Sequence, residues 1–218
     1  MKKLLGFYKS RIKDFFIQSY IRLKLRLKGH KIGKGAAFYS AELNGICEIR
    51  DHATIGPKVV LAGNNIIGSN AKLSNISIGE NTHVEGGVIC TGYGNGAILI
   101  GKESYIGINN VIDWSDNITI GDFVQIAGPS TALWTHTGAS MCINGVPLSN
   151  KSKHFRPTAP IQIESNVYIG CNCTIYPGIT IRHHSIIAPN SAVTKDVPPF
   201  TMVGGVPARK IKEIKPVI

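Results

Sequence analysis

His136 is the residue whose position most clearly suggests chemistry. It lies in the sequence LWTHTG, after a patterned stretch and at the start of a long segment without regular pattern. A neutral imidazole can accept a proton near pH 7, so a loop histidine placed against a hydroxyl can act as a general base. A loop histidine can also merely cap a turn, which is the more common role for such a residue taken alone. The position makes His136 a candidate catalytic residue.

A histidine that accepts a proton needs its second ring nitrogen held by a hydrogen-bond acceptor. Asp113 and Asp116, in the sequence VIDWSDN, are candidates for this acceptor, as is any backbone carbonyl. For both carboxylates, solvation at the surface is the expected role.

The five cysteines show no paired spacing typical of zinc sites, and their number is odd. We expect them to be small buried apolar residues in a reducing compartment, without a redox or metal-binding role. The cysteines are Cys47, Cys90, Cys142, Cys171 and Cys173.

The element that must position these residues is indicated by an aliphatic residue at every sixth position. A period of six fits neither an α-helix nor an ordinary strand, but it fits a coil of three short strands with one inward side chain per face. Each coil can bury its aliphatic residues only against the next coil, so many must stack. The pattern predicts an all-β solenoid. The series are Ile49, Ile55, Leu61, Ile67, Leu73; Ile100, Ile106, Ile112; and Ile163, Ile169, Ile175, Ile181, Ile187, Val193.

The six-residue pattern stops over residues 127–162 and restarts at Ile163. A loop of this length inside a compact solenoid is usually functional. We therefore divide the chain into an N-terminal segment (1–30), a solenoid domain (31–206) with a loop insertion at about 127–162, and a C-terminal tail (207–218).

Positive charge is concentrated in the N-terminal segment. Residues 1–34 contain 11 Lys or Arg and one acidic residue, Asp14, and so carry +10 of the net charge of +11. This distribution argues against nucleic-acid binding by the solenoid. Apolar residues near helical spacing predict a basic amphipathic helix to about Lys28, although the alternation in IRLKLRLK would also suit a strand. The helix could pack on the solenoid end or another subunit, or lie on an anionic membrane face.

The stretch from residue 163 to 212, which includes VYIGCNCTIYPGITI and TKDVPPFTMVGGVPARK, resembles the C-terminal coils of the hexapeptide-repeat acetyltransferases. The pattern of that family extends over roughly residues 30–212. The resemblance is strongest to the sugar O-acetyltransferases that modify surface polysaccharides and glycans. It implies a left-handed parallel β-helix, assembly into homotrimers, and acetyl-CoA bound in the groove between neighbouring prisms.

The resemblance also implies roles for individual residues. His136 would deprotonate an acceptor hydroxyl, which then attacks the thioester of acetyl-CoA directly, with no metal and no covalent enzyme intermediate. Asn109 lies near asparagines of the family's acceptor site and is a candidate for contacting the sugar. Independently of the resemblance, Trp134 is a second candidate because aromatic residues are scarce in this chain; it could stack on a sugar ring or on adenine, or equally be a packing residue. The residues that match acetyl-CoA-binding positions of the family are Cys171, Pro189, Thr194, Lys195, Arg209 and Lys212.

Three alternatives follow from the same residues. One branch of the superfamily binds zinc through three histidines, but His183 and His184 are adjacent, so their side chains should diverge, and His154 lies in the loop as a solvated residue. The chain could instead acetylate the amino group of a nucleotide-linked amino sugar, or be a non-enzymatic scaffold. With no signal peptide and no transmembrane stretch, we expect a cytoplasmic protein with peripheral contact at the inner membrane face through residues 1–30.

Overall fold

The computed structural model describes residues 2–149 and 154–215, and the side chains from residue 12 onward. A long helix, α1 (Lys2–Leu27), precedes a series of very short strands. The first strands are β1 (Lys31–Ile32), β2 (Ala37–Phe38), β3 (Glu42–Leu43), β4 (Glu48–Ile49), β5 (Thr54–Ile55), β6 (Val59–Leu61), β7 (Ile66–Ile67), β8 (Lys72–Leu73), β9 (Ile76–Ile78), β10 (His83–Val84), β11 (Ile89–Thr91) and β12 (Ile98–Ile100). The next are β13 (Tyr105–Ile106), β14 (Val111–Asp113), β15 (Ile118–Ile120), β16 (Gln125–Ile126) and β17 (Ala132–Leu133), followed by the short helix α2 (Ala139–Ile143). The last are β18 (Ile161–Ile163), β19 (Tyr168–Ile169), β20 (Thr174–Ile175), β21 (Thr180–Ile181), β22 (Ile186–Ile187), β23 (Ala192–Val193), β24 (Thr201–Gly204) and β25 (Arg209–Glu213).

The strands form three parallel sheets that are the faces of a prism. The first sheet begins with β1, β4 and β7, the second with β2, β5 and β8, and the third with β3, β6 and β9, so each strand pairs with strands one coil away. Successive coils therefore stack at the usual interstrand spacing of about 4.8 Å. The predicted parallel β-solenoid is confirmed.

One aliphatic side chain per strand fills the interior of the prism. In two-residue strands such as β4 and β5, the first residue is partly exposed and the second, Ile49 or Ile55, is completely buried. Because a two-residue strand buries little by itself, the core exists only where coils stack on one another.

Many corners of the prism use a residue in the left-handed backbone region, most often asparagine. Asn70, Asn109, Asn172 and Asn190 follow the first sheet in different coils, with φ between 54 and 61°. Asparagine tolerates this conformation better than most other non-glycine residues. These asparagines turn the chain from the first sheet to the second.

The irregular loop is shorter than the sequence predicts. β17 lies inside the segment assigned to the loop, and β18 begins at Ile161, so the described part of the loop is 134–149 and 154–160, with α2 within it. The inward residues Ile126 and Leu133 are seven positions apart instead of six, because the corner between them has one extra residue. This step of seven hid β17 from a six-residue pattern.

Helix α1 lies across the open edge of the first coil. The Gln18 side chain accepts a hydrogen bond from the Phe38 N–H (2.9 Å) and donates one to the Phe38 carbonyl (3.1 Å). Arg22 donates to the Ala36 carbonyl (3.1 Å), and Arg26 donates to the Ile32 carbonyl (2.6 Å). The helix thus satisfies backbone groups of the terminal strands, and the strand alternative for this segment is wrong.

The other end of the solenoid is closed by β25, which pairs antiparallel with β24. Among the residues that the structure describes, no helix is both long and apolar enough to cross a membrane.

Candidate functional site

The candidate site lies where three neighbouring coils turn from the second sheet to the third. β11, β14 and β17 are adjacent strands of the second sheet, and they are followed by the described segments 92–97, 114–117, and 134–149 with 154–160. Because the strands are parallel and stacked, residues at these three corners lie close together although they are more than 20 positions apart in the chain.

His136 is held by Asp113 of the preceding coil. Its Nδ1 lies 2.6 Å from Asp113 Oδ2, and the hydroxyl of Ser115 lies 3.3 Å from the same nitrogen. The His136 side chain is about one-fifth exposed, with a relative accessibility of 22%, whereas that of Asp113 is 0% exposed. The imidazole is therefore anchored at one nitrogen and open to solvent elsewhere.

Five donor groups surround the carboxylate of Asp113. Its Oδ1 accepts hydrogen bonds from the Ser115 hydroxyl (2.6 Å) and N–H (3.1 Å). Its Oδ2 accepts a hydrogen bond from the Thr135 N–H (2.9 Å). The Thr135 hydroxyl, at 2.8 Å, and His136 Nδ1 also contact Oδ2. Burial alone would raise the pKa of Asp113, but hydrogen bonds from Ser115, His136 and Thr135 outweigh burial and hold it below its ordinary value. The expectation that Asp113 is a solvated surface residue is wrong.

A buried carboxylate that stays ionised fixes the tautomer of the neighbouring imidazole. Because Asp113 accepts a hydrogen bond from Nδ1, His136 carries its proton on Nδ1 and its Nε2 lone pair is available as an acceptor. Among the described residues, no side chain or backbone group forms a hydrogen bond with His136 Nε2. The geometry is that of an oriented general base.

Two aromatic rings set the position of the imidazole. The Tyr93 ring meets the His136 ring edge to face with centroids 4.7 Å apart, and Trp134 does so at 6.2 Å. Tyr93 comes from the corner after β11, so the coil on the far side of Asp113 also contributes to the site.

A cavity of about 630 Å³ opens beside this group. It is lined by Tyr93, Gly94, Gly96, Ser115, Asp116, Arg156 and other residues of the three corners. Asp116 accepts hydrogen bonds from the Thr158 hydroxyl at Oδ2 and from the Asn117 N–H at Oδ1, both at 2.8 Å. The cavity is large enough for a monosaccharide, and its lining combines apolar surface with a few polar and charged side chains.

Parts of the chain are similar in sequence to a transferase family model and to known acetyltransferases. Residues 160–195 match the family model described as bacterial transferase hexapeptide (six repeats). Galactoside O-acetyltransferase of Escherichia coli (strain K12) is 36% identical over 140 residues, which cover 63% of this chain and 64% of that protein. Chloramphenicol acetyltransferase of Agrobacterium fabrum (strain C58) is 30% identical over 110 residues, covering 45% and 53%. The chain thus spans less than two thirds of the length of either relative.

The solved structure of AntD agrees in fold. AntD is an N-acyltransferase from Bacillus cereus whose structure contains dTDP-4-amino-4,6-dideoxyglucose and coenzyme A. It superposes with a TM-score of 0.58 at 21% identity, over 82% of this chain and 86% of AntD. The chain is therefore similar to hexapeptide-repeat transferases over residues 160–195, to galactoside O-acetyltransferase over 140 residues, and to AntD in fold.

The residues predicted from the sequence to bind acetyl-CoA lie on two different edges of the prism. Lys195 and Arg209 line a common cavity of about 230 Å³ near the C-terminal end of the solenoid. Thr194 precedes Lys195, and the exposed Lys212 lies on β25.

Cys171 and Pro189 form the second set. They follow β19 and β22 of the first sheet, whereas Thr194 and Lys195 follow β23 of the second. A single chain therefore does not bring the two sets together.

The two residues predicted to contact the acceptor, Trp134 and Asn109, lie on different edges of the prism. Trp134 is partly exposed, and its ring centroid lies 6.2 Å from that of His136. Asn109 is a corner residue after the first sheet, with φ of 55°, and within one chain it lies on a different edge from His136. Its neighbour Asn110 is completely buried and bonds to backbone groups of the next coil, so it holds the corner.

The remaining histidines contradict one expectation. His183 and His184 do not diverge, because their Nδ1 atoms lie 3.0 Å apart, and Phe200 stacks on His184 with ring centroids 4.9 Å apart. His154 is exposed in the loop beside Phe155. Across residues 2–149 and 154–215, no group of three or more His, Cys, Asp or Glu side chains is arranged to hold a metal ion.

The cysteines mostly behave as predicted. Cys47, Cys90 and Cys173 are buried, and burial raises the pKa of the Cys90 thiol to about 12. Cys171 is partly exposed, and Cys142, on the loop helix α2, is fully exposed, against the expectation that all five are buried.

Several site residues could not be found from the sequence. Tyr93 lies in the segment GYGNG, whose glycines do suggest a turn, but Ser115, Thr135 and Arg156 have no distinguishing motif. Their roles depend on contacts between neighbouring coils, which an unaligned sequence does not show.

Proposed function

We propose that the protein is an acetyl-CoA-dependent O-acetyltransferase that acts on a sugar hydroxyl in polysaccharide or glycan modification. The observation that carries this proposal is the orientation of His136. Its Nδ1 is bound to the buried carboxylate of Asp113, and two residues that contact its ring, Tyr93 and Ser115, line a cavity large enough for a sugar. Similarity to galactoside O-acetyltransferase over 140 residues supports the same activity.

In the proposed reaction, His136 Nε2 accepts the proton of the acceptor hydroxyl as its oxygen attacks the thioester carbonyl of acetyl-CoA. A new C–O bond forms and the C–S bond breaks. The imidazolium then returns its proton to the departing sulfur, which leaves as the free thiol of CoA. The Asp113 carboxylate stabilises the transient imidazolium and keeps the ring oriented. Backbone N–H groups stabilise the oxyanion that forms at the carbonyl.

The cationic residues near the C-terminus are suited to bind the phosphates of acetyl-CoA. Lys195 and Arg209 line one cavity, and arginine pairs well with phosphate oxygens. Since Cys171 and Pro189 lie on another edge, one acetyl-CoA can contact both sets only if two chains place these edges side by side. This separation supports a homotrimer with the co-substrate in the groove between subunits.

A matched panel of acceptors tests the proposed function. Release of CoA thiol from acetyl-CoA is measured with neutral sugars and with the corresponding amino sugars. Transfer to hydroxyls only supports the proposal. Preference for an amino group supports the alternative N-acetyltransferase, since the same base would serve it. An absence of acetyl-CoA binding would leave a non-enzymatic scaffold as the explanation.

We further propose that α1 contacts the inner membrane face. Ile12, Phe15, Phe16 and Tyr20 are 56–65% exposed, and they continue with the exposed Leu23 and Leu27 along one helix face. The side chains of Gln18, Arg22 and Arg26 meanwhile bond to the first coil. An exposed apolar stripe in a segment with ten net positive charges is complementary to an anionic lipid surface.

A further inference from the structure

Unpaired polar atoms concentrate at the cavity beside His136. In the described part of the chain, three buried side-chain polar atoms have no hydrogen-bond partner: the Tyr93 hydroxyl, Trp114 Nε1 and Arg156 Nε. Tyr93 and Arg156 both line this cavity. Buried polar groups in folded proteins are almost always paired, so an unpaired group indicates a missing partner. Both atoms can donate a hydrogen bond, so the missing partner carries acceptor oxygens.

Arg156 also has no counter-charge. Within the described ranges, no carboxylate lies within ion-pair distance of its guanidinium, which instead stacks over the Tyr93 ring at 4.4 Å from the centroid. An arginine side chain is charged at every physiological pH, and its planar set of donors matches a carboxylate or phosphate. The same Tyr93 ring contacts His136, so the guanidinium and the imidazole are one aromatic ring apart.

Asp116 is the other charged residue that lines the cavity. Each of its oxygens already accepts a hydrogen bond, from the Thr158 hydroxyl and the Asn117 N–H. Asp116 can still accept hydrogen bonds from sugar hydroxyls, whereas Arg156 can only donate. The two residues therefore suit different parts of one acceptor.

We propose that Arg156 and the Tyr93 hydroxyl form a subsite for an anionic group of the acceptor. The acceptor class is then an acidic sugar or a phosphate-bearing sugar, whose hydroxyl reaches His136 while its carboxylate or phosphate pairs with Arg156. This inference rests on the proposed acetyltransferase function.

The experiment compares neutral acceptors with acidic counterparts that carry a carboxylate in place of the primary alcohol or a phosphate on the anomeric oxygen. Methyl glucoside is paired with methyl glucuronide, galactose with galacturonate, and glucose with glucose 1-phosphate. The wild-type protein should favour the acidic member of at least one pair, and which pair responds distinguishes carboxylate from phosphate. Arg156→Gln should lower kcat/KM for that acidic acceptor by about 10- to 100-fold, while kcat/KM for its neutral partner changes by less than about twofold. Arg156→Lys should fall between, because it keeps the charge but loses the planar donors.

Two further variants complete the design. Tyr93→Phe keeps the ring under the guanidinium and removes only the hydroxyl, so it should lower kcat/KM for the acidic acceptor by less than Arg156→Gln does. Arg182→Gln is the matched control, because Arg182 is exposed and pairs with Glu164 on another edge of the prism. Thermal melting monitored by circular dichroism verifies that each variant is folded.

Three results would overturn the inference while the proposed function stands: transfer only to neutral sugars, an equal loss on both members of the pair in Arg156→Gln, or a raised KM for acetyl-CoA alone. The last would assign Arg156 to the CoA phosphates. If acetyl-CoA binds but no acceptor in the panel releases thiol, the proposed function fails and the inference fails with it.

Discussion

The imidazole of His136 is oriented by groups from three consecutive coils: Tyr93, Asp113 with Ser115, and the Trp134–Thr135 pair beside it. Its proposed role as the base gives a direct test. His136→Ala should lower kcat by about 10²- to 10⁴-fold, with nearly unchanged affinity for acetyl-CoA, since a general base acts only in the transition state. Steady-state kinetics and calorimetric titration measure the two quantities. His83→Ala, on the first sheet and away from the site, is the control. A near-normal kcat in His136→Ala would remove the residue from the mechanism.

Asp113 permits a second test, in which stability and pH are linked. Its pKa is lower in the folded protein than in the unfolded chain, so its ionisation stabilises the fold above the ordinary carboxyl pKa of about 3.9, and the gain disappears as the pH falls through the lower folded value. Asp113→Asn should reduce the free energy of unfolding at neutral pH by about 3 kcal/mol. The asparagine amide has no charge, and its NH₂ group would face the hydrogen-bond donors that surround the carboxylate.

The difference in unfolding free energy between wild type and Asp113→Asn should therefore shrink as the pH is lowered below 4. Denaturant titrations at a series of pH values measure it. Asp116→Asn is the comparison, because Asp116 is only partly buried. A difference that is constant down to strongly acidic pH would show that the charge of Asp113 is not what stabilises this site.

The sequence predicts only part of the arrangement of His136 and Asp113. The type and loop position of His136 are visible in the sequence, and so is the nearby aspartate, but solvation was expected for Asp113. Its donors, Ser115, Thr135 and His136, come partly from its own coil and partly from a segment more than 20 positions later. Burial of a carboxylate depends on that stacking, and spacing along the chain does not reveal it.

At the scale of elements, regular coils are predictable and irregular ones are not. Ile163 to Val193 repeat at six without a break, and they all occupy the core. The one-residue corner insertion before Leu133 shifts the pattern and concealed β17. Helix α1 was predictable from its apolar spacing, but the partners of Gln18, Arg22 and Arg26 on the first coil were not.

The exposed stripe on α1 gives a test of membrane contact. The protein should sediment with liposomes that contain anionic lipid at low ionic strength, and added salt should release it, because the attraction is partly electrostatic. The double substitution Phe15→Glu and Phe16→Glu should abolish sedimentation without unfolding the protein, since both rings are about two-thirds exposed, at 64% and 65%. Ile143→Glu, at an exposed position on the loop helix, is the matched control. Undiminished sedimentation of the double variant would refute contact through this face.

At the scale of the whole molecule, the two sets of predicted acetyl-CoA residues lie on different edges, so the proposed site would need two chains. His136→Ala and Pro189→Trp, which alter different edges, should each be nearly inactive alone. After the two variants are mixed, unfolded and refolded together, roughly a quarter of the sites should combine two intact edges and regain activity. Thiol release measures the recovery, and sedimentation equilibrium gives the assembly mass. A mixture as inactive as its components would place the whole site within one chain.

Because α1 covers the first coil, the number of coils also sets the distance between the helix and His136. The helix lies at one end, and the coil that presents His136 begins at β16, five interstrand steps beyond β1 in the first sheet. At about 4.8 Å per step, the edge that carries His136 lies on the order of 24 Å above the plane in which the helix lies. With the helix on a lipid surface, an acceptor tethered to that surface would be modified only where its chain reaches this height. Adding or removing one coil between β4 and β10 would then select a different sugar along the same glycan.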